Sequence, residues 1–189
     1  IYNFKTEIEL NNIPLQIKFF DYSKDEKKNS LLTIEGLYQK NKKIYFKEIL
    51  FKESKNNFKI NKLSLSPNYK INYIEELNVN FLNDSKKENK ILLKKNNKNY
   101  ELSGKFFDST ILLDQIIESD NEGNVFDILN DFSSTVKISI NKVFIDKTNY
   151  INNLKGTLKF NKSNLKNLNL HANFLDDKKL TFTININQN

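Results

Sequence analysis

A chain of 189 residues with 38% hydrophobic content and no cysteine, methionine or tryptophan excludes disulfides and thiolate metal sites, and leaves Leu, Ile, Phe and Tyr to build a core. No run approaches the roughly 18 apolar residues that span a bilayer, and no charged-then-apolar signal segment heads the sequence. The 30 basic and 23 acidic residues give a net charge of +7; every basic side chain is lysine, and with abundant Asn, Ile, Phe and Tyr this is the set that A/T-rich codons specify, so the charge reads as codon usage rather than as a nucleic-acid footprint.

Alternating apolar and polar residues begin at once. Tyr2, Phe4, Ile8 and Leu10 lead through Asn11-Asn12 into Ile13, Leu15, Ile17 and Phe19, which predicts a hairpin. The opening at Ile1, inside a strand pattern and without methionine, is expected of a segment of a longer protein. Further strands are predicted from Leu31 to Tyr38, Ile44 to Phe51, Phe58 to Leu65, Ile71 to Leu82, Ile91 to Leu93 and Tyr100 to Phe106. Polar clusters from Ser23 to Ser30, Asn83 to Asn89 and Lys94 to Asn99 read as turns between them.

From Asp108 the pattern changes. Asp108 is an N-cap candidate, and Leu112, Leu113, Ile116 and Ile117 fall on one side of a 3.6-residue repeat, so a short helix is predicted. Val125, Ile128, Leu129 and Phe132 continue at helical spacing and predict a second helical turn.

Strict period 2 then returns in four runs: Val136, Ile138 and Ile140; Leu154, Gly156, Leu158 and Phe160; Leu168, Leu170, Ala172 and Phe174; Leu180, Phe182, Ile184 and Ile186. Successive side chains on a strand point to opposite faces, so these runs make a sheet with one apolar face and one wet face. The expected fold is mainly β, a long antiparallel meander of about a dozen strands forming one β-rich segment over 1–189, with one or two short helices near 108–132.

Residues with catalytic or ligating chemistry are sparse. His171, the sole histidine, falls on the polar side of its strand and reads as solvated. Gly36, Gly104, Gly123 and Gly156 stand singly and form no phosphate-cradling loop. Glu75-Glu76, Asp25-Glu26 and Asp176-Asp177 offer paired carboxylates, but neighbours on a strand face opposite ways, and Asp176-Asp177 before Lys178-Lys179 reads as a hairpin turn. The lysines and aromatics from Lys40 to Phe51 are in phase with a core face rather than with a base-stacking platform. No catalytic residue, metal ligand or cofactor is expected, and the chain is read as a non-enzyme without a nucleic-acid partner.

A one-sided sheet must cover its apolar face with a second sheet, with helices or with a ligand. A closed β-sandwich, acting as a binding or adhesin-like surface module, meets that need; a curled sheet forming an open groove with an apolar concave face is the alternative. A carbohydrate-active enzyme is a third reading. A membrane barrel lacks the expected aromatic girdles.

The run Tyr100-Glu-Leu-Ser-Gly104-Lys-Phe-Phe-Asp108-Ser-Thr-Ile-Leu112-Leu113 resembles the strand-Gly-x-x-Phe-Asp-x-x-x-Leu-Leu helix start of AsmA-like proteins of the TamB and YhdP type. The order that follows is also similar: Val136 to Ile145, then Asn153-Leu154-Lys155-Gly156-Thr157-Leu158, then Leu165 with Leu168-Asn-Leu170-His-Ala172. The resemblance covers about half the chain, Tyr100 to Ile186. It implies a repeating β-groove of a bridge-like lipid-transfer protein, anchored in the inner membrane of a Gram-negative cell through a segment outside this sequence and crossing the periplasm with phospholipid as cargo. The side chains expected to line the groove are Phe4, Ile8, Ile17, Phe19, Ile138, Ile140, Leu158, Phe160, Leu168, Leu170, Phe182 and Ile184.

Overall fold

The computed structural model of the protein describes residues 1–40, 43–117, 128–174 and 178–185. They pack as two units, Ile1–Asn89 and Lys90–Asn189. Both are mainly β, as the alternation demands.

Unit 1 holds β1 (Tyr2–Glu9), β2 (Leu15–Ile17), a 3₁₀ turn (Lys18–Phe20), β3 (Tyr22–Lys24), β4 (Leu31–Gln39), β5 (Lys43–Glu53), β6 (Asn56–Leu65) and β7 (Ile71–Leu82). Its main sheet runs β1-β4-β5-β6-β7, antiparallel at each step. The hairpin expected at Asn11-Asn12 is corrected here: all eight residues of β1 pair with β4, and β2 pairs with β3 in a separate two-stranded ribbon. Two features explain the change. Pro14 has no N–H for a ladder immediately after the turn, and the ribbon carries Phe20 and Tyr22 onto an aromatic cluster of the main sheet, a burial that outweighs local pairing.

Direct cross-strand partners share a face. One row joins Phe4, Gly36, Phe46, Leu63 and Ile74; the next on that face joins Thr6, Ile34, Ile49, Ile60 and Leu77; a third joins Ile8, Leu32, Phe51, Phe58 and Val79. The intervening rows are polar, as in Lys5, Glu35, Glu48, Asn61 and Glu76. Between these rows β5, β6 and β7 each carry one residue more than β4, namely Lys47, Lys62 and Glu75. That bulge is why the apolar spacing widens to three residues from Phe46 to Ile49, from Leu63 to Ile60 and from Ile74 to Leu77; Leu50, paired with Thr33 and Lys59, is an apolar residue on the polar side.

Unit 2 runs β8-β9-β10-β11-β12-β13, where β8 (Glu88–Asn96) starts at the end of unit 1. The others are β9 (Asn99–Asp108), β10 (Thr135–Phe144), β11 (Tyr150–Asn161), β12 (Asn164–Asn173) and β13 (Lys179–Asn185). The polar stretch expected as a turn from Lys94 to Asn99 narrows to Asn97-Lys98, because Lys94, Lys95 and Asn96 continue β8 and Asn99 opens β9.

Strands β9 and β10 are parallel, the one departure from antiparallel pairing among the registers described in this unit. A parallel pair needs a crossover of a dozen or more residues, and the stretch after Asp108 supplies it, including the helix α1 (Thr110–Ile117). Asp108 accepts hydrogen bonds from the Thr110 amide and hydroxyl at the start of α1. Of the second helical pattern, Val125 lies outside the described residues, and Ile128, Leu129 and Phe132 are not in an α-helix. The expected turn at Asp176-Asp177, and Ile186, also lie outside them.

Among the described residues each glycine sits beside a register shift: Gly36 at Glu35/Gly36, Gly104 opposite Lys90/Ile91, and Gly156 just beyond Asn152/Lys155. A Cβ on Gly156 would stand 2.0 Å from the Asn169 carbonyl oxygen, at φ +155°. Glycine beside a bulge lets a strand bend without losing its ladder.

Candidate functional site

The apolar rows are the candidate site. In unit 2 one row joins Tyr100, Val136, Leu158, Leu168 and Ile184; the next on that face joins Leu102, Ile138, Gly156, Leu170 and Phe182; a third includes Gly104, Ile140 and Leu154. The register therefore brings Ile138, Ile140, Leu158, Leu168, Leu170, Phe182 and Ile184 onto one face, with Phe160 next along β11 and paired to Leu165. Phe4 and Ile8 lie on the apolar face of unit 1. Ile17 and Phe19 occupy neither sheet face: Ile17 closes β2, and Phe19 is an exposed residue of the 3₁₀ turn, edge-on to Phe20.

Burial divides the unit 2 residues. Ile138, Ile140 and Phe160 are buried, Ile140 to 2% exposure. Phe132, from the crossover, stacks obliquely on Tyr100 and edge-on to Phe160, with centroids 5.4 Å away in both cases. Towards β13 the face opens: Leu158, Leu168, Leu170 and Ile184 are half-buried, and Phe182 is 50% exposed.

Unit 1 shows the same division. Its covered end is the cluster of Phe20, Tyr22, Phe51, Phe58 and Phe81, with centroid separations from 4.7 to 6.0 Å. Tyr22 is 1% exposed, and its hydroxyl donates to Glu53 Oε2. Glu53 is 2% exposed and also receives Asn56 Nδ2 at 3.2 Å and Lys28 Nζ at 3.2 Å. Burial pushes the Glu53 carboxyl up, but the hydrogen bonds from Tyr22, Asn56 and Lys28 outweigh it and hold it below its ordinary value. Burial, then the Glu53 carboxylate, pushes the Tyr22 hydroxyl well above the usual tyrosine range.

Lys24, buried, donates to the carbonyls of Ile13 and Asp25 at 2.8 and 3.0 Å, and Ser23 Oγ donates to Asp84 at 2.6 Å. The Tyr22–Glu53 and Ser23–Asp84 bonds clasp the ribbon to the sheet, while Lys24 ties together the ribbon's own flanks. The rows of Phe4 and Ile34 lie beyond it, and Phe4, Ile34, Phe46, Ile49, Ile60, Ile74 and Leu77 are half-buried.

The residues weighed for chemistry stay apart. His171 is exposed on the polar face, Nδ1 3.3 Å from Thr181 Oγ1. Glu75 accepts from Tyr73 and Glu76 from Asn61, while Asp25 accepts the Lys27 amide in an exposed turn. Among the described residues no group of three or more His, Cys, Asp or Glu side chains is placed to hold a metal ion, and no helix is long and apolar enough to cross a membrane. The clasp is what sequence reasoning missed; the aromatics Phe19, Phe20 and Tyr22, dense just before a stretch otherwise read as a turn, were its only trace.

No family model, curated protein or solved structure matches the chain.

Proposed function

We propose that this protein is a section of a periplasmic bridge that holds phospholipid acyl chains against the apolar faces of its sheets and supports lipid transport between inner and outer membranes, anchored to the inner membrane through a segment outside this sequence. The observation that carries the reading is the open end of the unit 2 face, where Leu158, Leu168, Leu170, Phe182 and Ile184 stand in two adjacent apolar rows and remain half-buried or exposed. The AsmA-like pattern of Tyr100 to Leu113 agrees with it.

The sizes are consistent. The open end crosses three strands about 4.8 Å apart, roughly 10 Å, which takes the greater part of an acyl tail that fills half of a hydrocarbon core about 30 Å thick, or roughly 15 Å. Each methylene kept out of water saves ~0.8 kcal/mol, so an apolar strip lowers the barrier to leaving a bilayer without any chemical step. The mechanism is passive, and no single lining side chain is essential.

The test is native mass spectrometry and lipid extraction of the purified chain. Phospholipid co-purifying near one molecule per chain is the expected result. A lipid-free compact monomer that takes up no added phospholipid would instead favour a packed binding or adhesin-like module, the reading to which the aromatic cluster under Tyr22 lends support.

A further inference from the structure

Codon usage sets how many lysines a chain carries; it has no bearing on which side of a sheet they occupy. On the polar face of unit 1 the signs are mixed: Lys5, Lys52 and Lys59 share rows with Glu7, Glu9, Glu35, Glu48 and Glu76, and ion pairs join Lys47 to Glu35 at 2.7 Å and Lys59 to Glu48 at 2.8 Å. The polar face of unit 2 is different. Its rows carry Lys94, Lys137, Lys155 and Lys159, all exposed, and the residues between them are Leu92, His171 and short polar side chains such as Ser103, Ser139, Thr157 and Asn169. Glu101 shares a row with Lys94 and Lys137 and accepts from Asn96 Nδ2 at 2.9 Å; Asp108, at the far end of β9, is bonded to Thr110. None of the four lysines is in an ion pair among the described residues.

We propose that the polar face of unit 2 docks on the surface of an anionic phospholipid bilayer. Four unpaired ammonium groups on one sheet face, interleaved mostly with short hydroxyl and amide side chains, form a broad positive surface on which His171 is the one exposed ring of the named rows. Lysine is a strongly hydrated point charge suited to a diffuse anionic layer. Nucleic acid fits less well: arginine, which reads guanine and phosphate bidentately, is absent from the chain, and the lysines are interleaved with Ser, Thr and Asn rather than with aromatics on which bases stack. The inference stands on charge layout alone, so it and the acyl-chain reading can fail separately.

Vesicle co-sedimentation of the whole chain tests it. Binding is expected to vesicles of phosphatidylglycerol and phosphatidylcholine, not to phosphatidylcholine alone, and to be lost in 1 M NaCl, where the screening length falls to about 3 Å. Each lysine near an anionic surface is worth about fivefold in affinity, so Lys94→Gln, Lys137→Gln, Lys155→Gln and Lys159→Gln combined should weaken binding roughly 600-fold. The control removes the same charge from exposed unit 1 lysines, Lys27→Gln, Lys55→Gln, Lys62→Gln and Lys86→Gln, and should retain most of the binding. Circular dichroism checks folding of both, and a second variant, Ser103→Glu with Ser139→Glu, should weaken binding with every lysine kept. Equal losses in the two lysine variants would reduce the effect to net charge and overturn the proposal. So would retention of binding in the unit 2 variant, or binding to a single-stranded oligonucleotide without binding to anionic vesicles.

Discussion

Replacing Tyr22 with phenylalanine removes one hydrogen bond from the ribbon clasp and leaves the ring in place. The lost bond runs to Glu53, whose carboxylate is 2% exposed and keeps Asn56 and Lys28 as partners. A hydrogen bond to a charged group contributes ~1.5–3 kcal/mol, so Tyr22→Phe should cost about 2 kcal/mol. Tyr22→Ala also deletes the ring packed on Phe51, Phe58 and Phe81, a further ~3–5 kcal/mol, and the two losses together approach the whole stability of a small domain. Urea unfolding followed by far-ultraviolet circular dichroism measures both, and the cycle Tyr22→Phe, Glu53→Gln and the double variant isolates the pair. Coupling of about 1 kcal/mol or more is expected. Additivity to within ~0.5 kcal/mol would show that the hydroxyl and the carboxylate are independent and that packing alone holds the ribbon. The same pair sets pH limits. The folded protein holds the Tyr22 proton more tightly than the unfolded chain does, so this contribution is complete below the ordinary tyrosine value near 10 and declines above it. Glu53 is depressed, so its contribution is complete above the ordinary carboxyl range and is lost as pH falls through its folded value. Tyr22→Phe should flatten the alkaline limb, and Glu53→Gln the acid one.

Two further perturbations separate backbone from surface effects. Gly156→Ala places a methyl group 2.0 Å from the Asn169 carbonyl oxygen at a φ that L residues rarely adopt, and should lower stability by about 2 kcal/mol or more in the same unfolding assay; an unchanged midpoint would mean that β11 and β12 separate there at little cost. Leu170→Asp with Phe182→Asp, on the open apolar rows, should weaken uptake of a fluorescent fatty acid at least tenfold, whereas Asn169→Asp with Thr181→Asp, on the other face of the same strands, should leave it nearly unchanged; equal losses would argue against a face-specific strip. Ile140 is a poor probe for that purpose, because an aspartate there enters a site with 2% exposure and tests folding instead.

What the alternation made legible is the allocation of residues to faces. Within the runs Val136–Ile140, Leu154–Phe160, Leu168–Ala172 and Leu180–Ile184 every second residue is apolar or glycine, and the register places those residues in common rows as the two-residue period requires. Partner choice was not legible in the same way, because it is settled by contacts distant in sequence. The aromatics that draw Tyr22 onto the sheet, Phe51, Phe58 and Phe81, lie tens of residues beyond the turn at Asn11-Asn12. The parallel pairing of β9 and β10 has a similar origin: the helix pattern after Asp108 marked an interruption, but a crossover and a simple insertion read alike in one sequence. For the candidate site, the apolar side of each strand could be read, and its degree of cover could not. Phe160 and Phe182 have the same pattern and opposite exposure, since cover over Phe160 comes from Phe132 of the crossover rather than from the strands themselves.

The extra residues Lys47, Lys62 and Glu75 lie side by side on three neighbouring strands, and this constrains how the chain can change length. Deleting one of them alone would invert its strand beyond that point, turning Ile49, Ile60 or Leu77 outward and a charged neighbour inward. Homologous chains should therefore gain or lose this residue on all three strands together or not at all, while single insertions collect in the hairpin loops. A deletion scan of β5, β6 and β7 would show the coupling as single deletions that fail to fold and a triple deletion that does.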